Sequence, residues 1–537
     1  MKKPKILTGI LKLSIFGVIS FYIVPFIFNI YYALTNSKKD FVALANFITI
    51  IKNPFFLLAL KNTVVFIIIA VLLVMSLAFL LAIFFNKYFS KSKVICLLLV
   101  VPYFLPSGAL ILFWQNLFKA NGVINIILNY CGLHSLDWIN SKWAFVVVVV
   151  IYLWKNTGLI TLILYSGLKK IPQVYFEVAQ SQGANKWQCF KHVQLVYALP
   201  SIIIALIVSV VNSINIFKEI YLLYGSYPVK HIYMLQHFIY NQYLNLNIAK
   251  LTSSAIVLFI VVFSLLVVLL YKQKQVSSKL YYKNQGKNYK TARKRLWVIF
   301  VVIVVISVLL LPIIYTIVNS FKPISKTIVF SLKQYQEFFS NRLLLKMYFN
   351  SIIISLPIVI FTALLAIFTA YAFMRFKHKF INNIFTVYII IMLLPKMVLI
   401  LPTFLITNKM GLSNNYLAII LPAIFNPLSI FIISYALKSI NEQLIEAALS
   451  CGANEYQVLF KVVLPNIKKY ILLLIFIVFA EYWNTVDEAI IFIKNQQSLP
   501  LSVYLSTMAN SNNTAFFATS TLYMAPIILI FVLLIII

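Results

Sequence analysis

The chain has 537 residues, of which 62% are hydrophobic and 10% charged, with a formal net charge of +34. Soluble globular domains carry about 25% charged residues, so this composition excludes that class and points to a protein surrounded by membrane lipid. Four cysteines without a CxxC and five scattered histidines without an HExxH exclude a disulfide framework and a zinc or other metal site.

From the N-terminus onward, apolar runs of about 20 residues recur, the length a helix needs to cross a bilayer. The first, 10–34, follows Lys2, Lys3 and Lys5. It is too long for a signal peptide and no small-residue cleavage site follows it, so it is expected to stay as an anchor. Further spans are expected at 57–85, 94–118, 143–168, 200–224 and 251–271, then at 296–320, 347–374, 380–407, 416–437, 470–493 and 515–537. The expected fold is an all-α polytopic membrane protein with two parallel-repeat halves of six transmembrane helices each.

An even number of spans puts both termini on the same, cytoplasmic side. That places 27 of the 45 basic residues inside and 15 outside, with Lys155, Lys218 and Lys396 within spans. Cytoplasmic excess of Lys and Arg is the usual topological signal in a cell membrane, so the charge is assigned to topology and not to nucleic acid.

Residues 1–271 form the first expected half and 296–537 the second. Between them, 272–295 is basic without an acidic residue and reads as a solvated cytoplasmic linker. The halves align across it. Asn62 matches Asn350 and Ala82 matches Ala370, both at an offset of 288, while Gly122 and Asn125 match Gly411 and Asn414 at 289. From Leu168 and Leu437 onward the offset is 269, so the first half carries about 20 extra residues around 131–143. Six spans per repeat make the repeats parallel, related by an axis along the membrane normal.

The best-matched segment is a polar loop. Residues 177–200 (EVAQSQGANKWQCFKHVQLVYALP) return as 446–469 (EAALSCGANEYQVLFKVVLPNIKK). In the second copy Leu444, Ile445, Ala447, Ala448 and Leu449 favour a helix and Gly452 interrupts it. Phe460, Val462, Val463 and Leu464 then lead to Pro465, which suits the start of the next span. Two short helices with a break are expected, with Gly452 where the break needs close contact.

The pattern Glu446, Ala447, Ala448, Gly452, Ala453, Val462, Leu464 and Pro465 resembles the EAA coupling loop of ABC importer permeases. The first copy is degenerate: Glu177, Ala179, Gly183, Ala184, Val193 and Leu195 fit, but Val178 replaces an Ala and Val196 stands where Pro is expected. The flanks 154–190 and 410–460 resemble the two permease subunits of maltose-type sugar importers, here joined in one polypeptide. The resemblance implies that loops 172–199 and 441–469 dock onto a cytoplasmic ABC ATPase dimer holding ATP and Mg. It also implies that an extracellular, lipid-anchored solute-binding protein delivers the solute. The chain itself lacks a phosphate loop: Gly286-Lys287 is the only Gly-Lys pair, and Tyr281 stands where the first glycine would be. No catalytic residue and no bound cofactor are expected.

Of the eleven acidic residues, Glu177, Glu442, Glu446 and Glu455 lie in the two loops, and Glu219, Glu481, Asp487 and Glu488 in the spans that follow them. Acids in membrane spans are costly and usually face a cavity or a partner. At the 269 offset, Asn212, Asn215 and Glu219 correspond to Glu481, Asn484 and Glu488. Spacings of three and seven put each set on one helical face. The stripes either line a substrate path between the halves or satisfy themselves in helix packing. Lys218 corresponds to Asp487, and the two could pair across the pseudo-axis. Tyr152 and Trp154 either stack on a sugar or pack.

Amide-rich, near-neutral walls suit an uncharged hydroxylated solute. Polyamine, phosphate and glycerol phosphate remain alternative cargoes. A secondary transporter of 6+6 architecture is a competing class, but it gives no reason for paired EAA-like loops.

Overall fold

The computed structural model describes residues 5–36, 38–89, 93–279, 296–322, 330–376, 378–392, 396–510 and 514–536. Among these residues all the named elements are helices, with one isolated β-bridge between Thr35 and Phe41. Among the described residues, eleven helices are long and apolar enough to cross a membrane. In lipid a helix is the natural solution, because it satisfies every backbone group within the segment.

The two repeats are built alike. Each second span, Pro54–Tyr88 and Arg342–Arg375, starts at an asparagine cap. Asn53 accepts from the N–H groups of Phe55 and Phe56, and Asn341 from those of Leu343 and Leu344, at 2.9–3.3 Å. Nine residues on, Asn62 donates to the carbonyls of Lys230 and Tyr233 at 2.7 and 3.0 Å, and Asn350 to those of Gln497 and Leu499 at 3.0 and 3.1 Å. Next to them, the hydroxyls of Thr63 and Ser351 accept from the N–H groups of Leu235 and Leu501 at 2.8 and 3.0 Å. Each second span thus holds the helix lying between the fifth and sixth spans, Leu235–Leu244 or Leu501–Asn510.

The first spans are exchanged between the halves. Leu7, Leu11 and Val18 belong to the core formed mainly by second-half residues, and Val298, Val302 and Leu309 to a core of the first half. Ser14 hydrogen-bonds Tyr388 at 2.9 Å, and Asn29 donates to the carbonyl of Val398 at 3.0 Å. In return Trp154 Nε1 donates to the carbonyl of Leu309 at 3.1 Å. The halves are therefore interlocked.

Three expectations need correction. The third span of the first half is not a single helix: it is Lys93–Phe104, then Gly108–Leu110 and Ile111–Phe118. Pro106 accounts for the interruption, because it pushes Leu105 out of the helical region. In its counterpart the described helices are Lys379–Met392 and Lys396–Lys409, and 393–395 lie outside the described residues. The fourth span of the second half breaks at Asn426, which caps Pro427–Leu437. Finally, the sixth span of the first half, Ile248–Lys279, runs eight residues into the expected linker. The remainder of that linker, 280–295, lies outside the described residues.

Candidate functional site

The two repeated loops share one geometry. The first consists of Gln173–Ser181, Lys186–Gln188 and a π-helical turn, Cys189–Gln194. The second consists of Glu442–Ser450, Glu455–Gln457 and Val458–Val463. Every boundary is displaced by 269 residues. Gly183 and Gly452 lie at φ +84° and +86°. Their N–H groups bond the carbonyls of Gln180 and Leu449, and the next N–H groups, of Ala184 and Ala453, bond Ala179 and Ala448, at 3.0–3.1 Å. This is a helix terminator in which only glycine takes the left-handed position without strain. Asn185 with Gln188, and Asn454 with Gln457, then form reciprocal capping boxes that restart the helix.

The glycine and the asparagine of each loop therefore have a local cause. Within the chain, both glycines have open space: no neighbouring atom lies within 4 Å of where a Cβ would stand. Pro465 directly follows the π-helical turn, in the first turn of Leu464–Trp483. Val196 holds the matching place in the first half.

The loops differ in how they are held. Glu455 accepts from Arg375 Nη2 at 2.7 Å and Nε at 3.1 Å, and from the Tyr371 hydroxyl at 2.5 Å. This latch joins the second loop to the end of its second span. Ile445, Val458, Leu459 and Val463 are buried beneath it. At the repeat-related positions the first half has Lys186, Lys87 and Ile83, with both lysines exposed. The helix Gln173–Ser181 buries no residue, and Val174, Val178, Trp187 and Lys186 face outward. Glu177 and Glu446 are also exposed.

The fifth spans are broken, which corrects the single-face reading of the polar stripes. Leu195–Ile214 ends at Asn215 and a separate helix, Phe217–Tyr224, follows. Leu464–Trp483 ends at Asn484 and is followed by Asp487–Phe492. Asn212 and Glu481 therefore precede the break, while Lys218, Glu219, Asp487 and Glu488 follow it. The sequences NSIN and NTVD at the two breaks are rich in polar and β-branched residues, which are weak helix formers. Carbonyls near the breaks find side-chain donors: Tyr152 on Ser209 at 2.7 Å, Ser502 on Thr485 at 2.5 Å, and Tyr523 on Trp483.

Lysines pair with three of the four acids around the breaks. Lys155 pairs with Glu219, which also accepts from Ser107 at 2.9 Å. Lys396 pairs with Glu481 at 2.6 Å and Glu488 at 3.0 Å, and Glu488 accepts from Thr485 at 2.8 Å. Glu219 and Glu488 are repeat equivalents, yet their lysines arrive from different spans. Lys155 lies on the fourth span, and Lys396 lies on the third, where the first half has Ser107. Sequence reading located these lysines inside spans without giving them partners, and chain spacing alone could not have matched them.

The expected Lys218–Asp487 pair is not formed as a salt bridge among the described residues. The two do interact electrostatically, within a cluster that includes Lys155, Glu219 and Glu488. Asp487 keeps a buried Oδ1 without a hydrogen bond, as does Asn484. Asn484 donates to the carbonyl of Phe104 at 3.0 Å, and Asn212 to Asn156 Oδ1 at 2.8 Å. Asn215 is exposed. Tyr152 is fully buried against Phe66, so it packs and is not available for stacking. Trp154, with Trp114, Ser107, Lys155 and Glu219, lines a small cleft.

Twin repeats of membrane-crossing helices, broken fifth spans and paired loops of one geometry define a protein of the membrane-transport class. The chain belongs to the family described as binding-protein-dependent transport system inner membrane component, whose domain matches twice, at residues 76–275 and 362–537. It is an ABC importer permease with two permease domains joined in one polypeptide.

It is 27% identical to a probable ABC transporter permease protein, y4oQ, of Sinorhizobium fredii, over 41% of this chain and 73% of that protein. It is 29% identical to the trehalose/maltose transport system permease protein MalF of Thermococcus litoralis, over 36% of this chain and 65% of that protein. A crystal structure of a bacterial ABC transporter involved in alginate import matches 51% of this chain and 96% of its own, at 19% identity and a TM-score of 0.45. Several of the relatives are thus spanned over just under two thirds of their length.

Proposed function

We propose that the chain forms the membrane pathway of an importer for a small, uncharged, hydroxylated solute, most simply a sugar, powered by ATP hydrolysis on a separate cytoplasmic ATPase dimer. The observation that carries this reading is the pair of loops with one geometry: a helix, a glycine terminator and a capped restart, repeated at the same spacing. Two such protrusions on one face suit a two-fold ATPase. Nucleotide-driven closure would move the loops, and through the π-helical turns the fifth spans. Both termini would lie in the cytoplasm, and a binding protein, lipid-anchored at the outer face, would deliver the solute.

The substrate path would run between the fifth spans, past Asn212, Asn215, Glu481 and Asn484, with Lys218, Glu219, Asp487 and Glu488 shaping the outer gate. Broken helices lining a cavity are how membrane transporters expose polar backbone at depth. The interior acids are largely answered by lysines, which leaves amides and hydroxyls for the solute and favours a neutral one. The names of the relatives, trehalose/maltose and arabinooligosaccharides among them, agree with a sugar.

The test is reconstitution in proteoliposomes with a binding protein and an ATPase. ATP-dependent uptake of a labelled sugar is expected. Uptake by the chain alone on a proton or sodium gradient would overturn the reading in favour of a secondary transporter. Transport of phosphate, glycerol phosphate or polyamine in place of sugar would overturn only the cargo. Cysteines at 212, 215, 481 and 484, probed with a water-soluble thiol reagent with and without cargo, test the path. Labelling at none of them in any nucleotide state would place the path elsewhere.

A further inference from the structure

The two loops share a backbone but not a surface. In the second half Glu455 is consumed by Arg375 and Tyr371. At the same three places the first half has Lys186, Lys87 and Ile83. Both loops rest on their second spans through an aromatic pair, Phe190 with Phe79 at 6.2 Å and Phe460 with Phe368 at 6.5 Å. The first half presents two exposed lysines where the second has a closed ion pair. The difference extends along the loops. Residues 173–194 carry Lys186 and Lys191 against Glu177, a net +1, whereas 442–463 carry Lys461 against Glu442, Glu446 and Glu455, a net −2. Beside Lys186, Trp187 is 67% exposed and Val174 57%.

Exposed apolar side chains on a loop with exposed lysines suit an acidic partner surface with an apolar centre. We propose that the first coupling loop is the electrostatic docking site of the pair, and that Lys87 and Lys186 receive carboxylates from the ATPase where the second loop uses its own Glu455. The second loop, already latched to its span, is the stiffer lever. The ATPase surface that receives the first loop is then more acidic than the one that receives the second, whether the two ATPase subunits differ or one subunit type meets both loops. This inference rests on the ATPase-driven reading above.

The probe is the purified ATPase that supports ATP-dependent uptake with this chain. Its binding to the full chain in nanodiscs of zwitterionic lipid is measured at increasing salt. Lys87→Gln with Lys186→Gln is expected to weaken binding about 5- to 10-fold at low ionic strength, from two charge pairs of modest strength each. The gap is expected to close toward about 1 M salt, where screening reaches about 3 Å. Lys142→Gln with Lys333→Gln, two exposed lysines outside both loops, should leave affinity within about 2-fold. The triple change Ile83→Tyr, Lys87→Arg and Lys186→Glu builds the second loop's latch into the first and should reproduce the loss. Equal salt dependence of the lysine variant and the parent would overturn the inference while uptake still upholds the transport reading. A loss of binding to vesicles of anionic lipid, with ATPase affinity unchanged, would overturn it too, by assigning the lysines to headgroups. If no ATPase drives uptake, the transport reading itself falls.

Discussion

The two halves solve the same structural problems with different atoms. Where a feature depends on backbone shape, the halves agree residue for residue: Asn53 and Asn341 as caps, Asn62 and Asn350 as carbonyl clamps, Gly183 and Gly452 as terminators. Where a feature depends on charge, they diverge. Glu219 and Glu488 are answered by lysines from the fourth and third spans respectively, and the loop latch exists in one half only. Backbone geometry admits few solutions, because a positive φ or a helix start demands a particular residue type. A cation has reach, and several neighbouring positions can deliver it. Duplicated membrane domains can therefore keep their frame while their charges move.

The largest effect that would test this comparison is at the interior pairs. Lys155→Met leaves Glu219 unanswered where the paired side chains are only 19% and 8% exposed, and is expected to cost about 3 kcal/mol, as for one partner removed from a buried pair. Lys396→Met should cost clearly less, because that lysine is 47% exposed and solvent screens exposed pairs. Denaturation of the purified protein in detergent reads both. Adding Glu219→Gln to Lys155→Met should recover most of the loss; no recovery would mean that Lys155 acts through packing.

Breaking the latch comes next. Arg375→Met should lower stability by about 1–2 kcal/mol, discounted from a fully buried pair because the side chains are 25% and 16% exposed. It should also reduce ATPase stimulation, whereas Lys87→Met should leave stability unchanged. Equal stability losses in the two variants would mean that the halves are not asymmetric here.

The asparagine clamps sharpen the other side of the comparison. Asn62→Ala and Asn350→Ala each remove two hydrogen bonds to carbonyls, and each should cost about 1–2 kcal/mol. Values that differ several-fold, in the same unfolding assay, would show that the frame is less symmetric than its geometry.

The smallest effect on folding belongs to the terminator glycines. With open space around each, Gly183→Ala and Gly452→Ala should cost about 1 kcal/mol apiece, from the left-handed backbone alone. Transport should separate bulkier changes: Gly452→Leu is expected to impair ATPase stimulation more than Gly183→Leu, since the second loop keeps the fuller pattern and is latched. A dead Gly183→Leu beside an active Gly452→Leu would reverse that ranking.

Much of this was legible in the chain. The duplication, the spans and the loop motif follow from composition and from residues that recur at fixed offsets, because lipid requires long apolar helices and a turn with positive φ requires glycine. The polar stripes were legible as a set, but not as two groups separated by a break. Asn215 and Asn484 read as helical in a 3.6-residue pattern, although each ends its helix.

What the sequence determined by itself was therefore the fold class, the parallel repeat and the local backbone of the loops, all set by interactions within a few residues or by burial in lipid. Tertiary structure alone decided which lysine meets which acid, that the first spans are exchanged between halves, and that Glu455 belongs to Arg375 and not to a partner. These contacts join residues 64 to 374 positions apart, and at such separations which groups meet is decided by how the helices pack, which one chain's spacing does not encode.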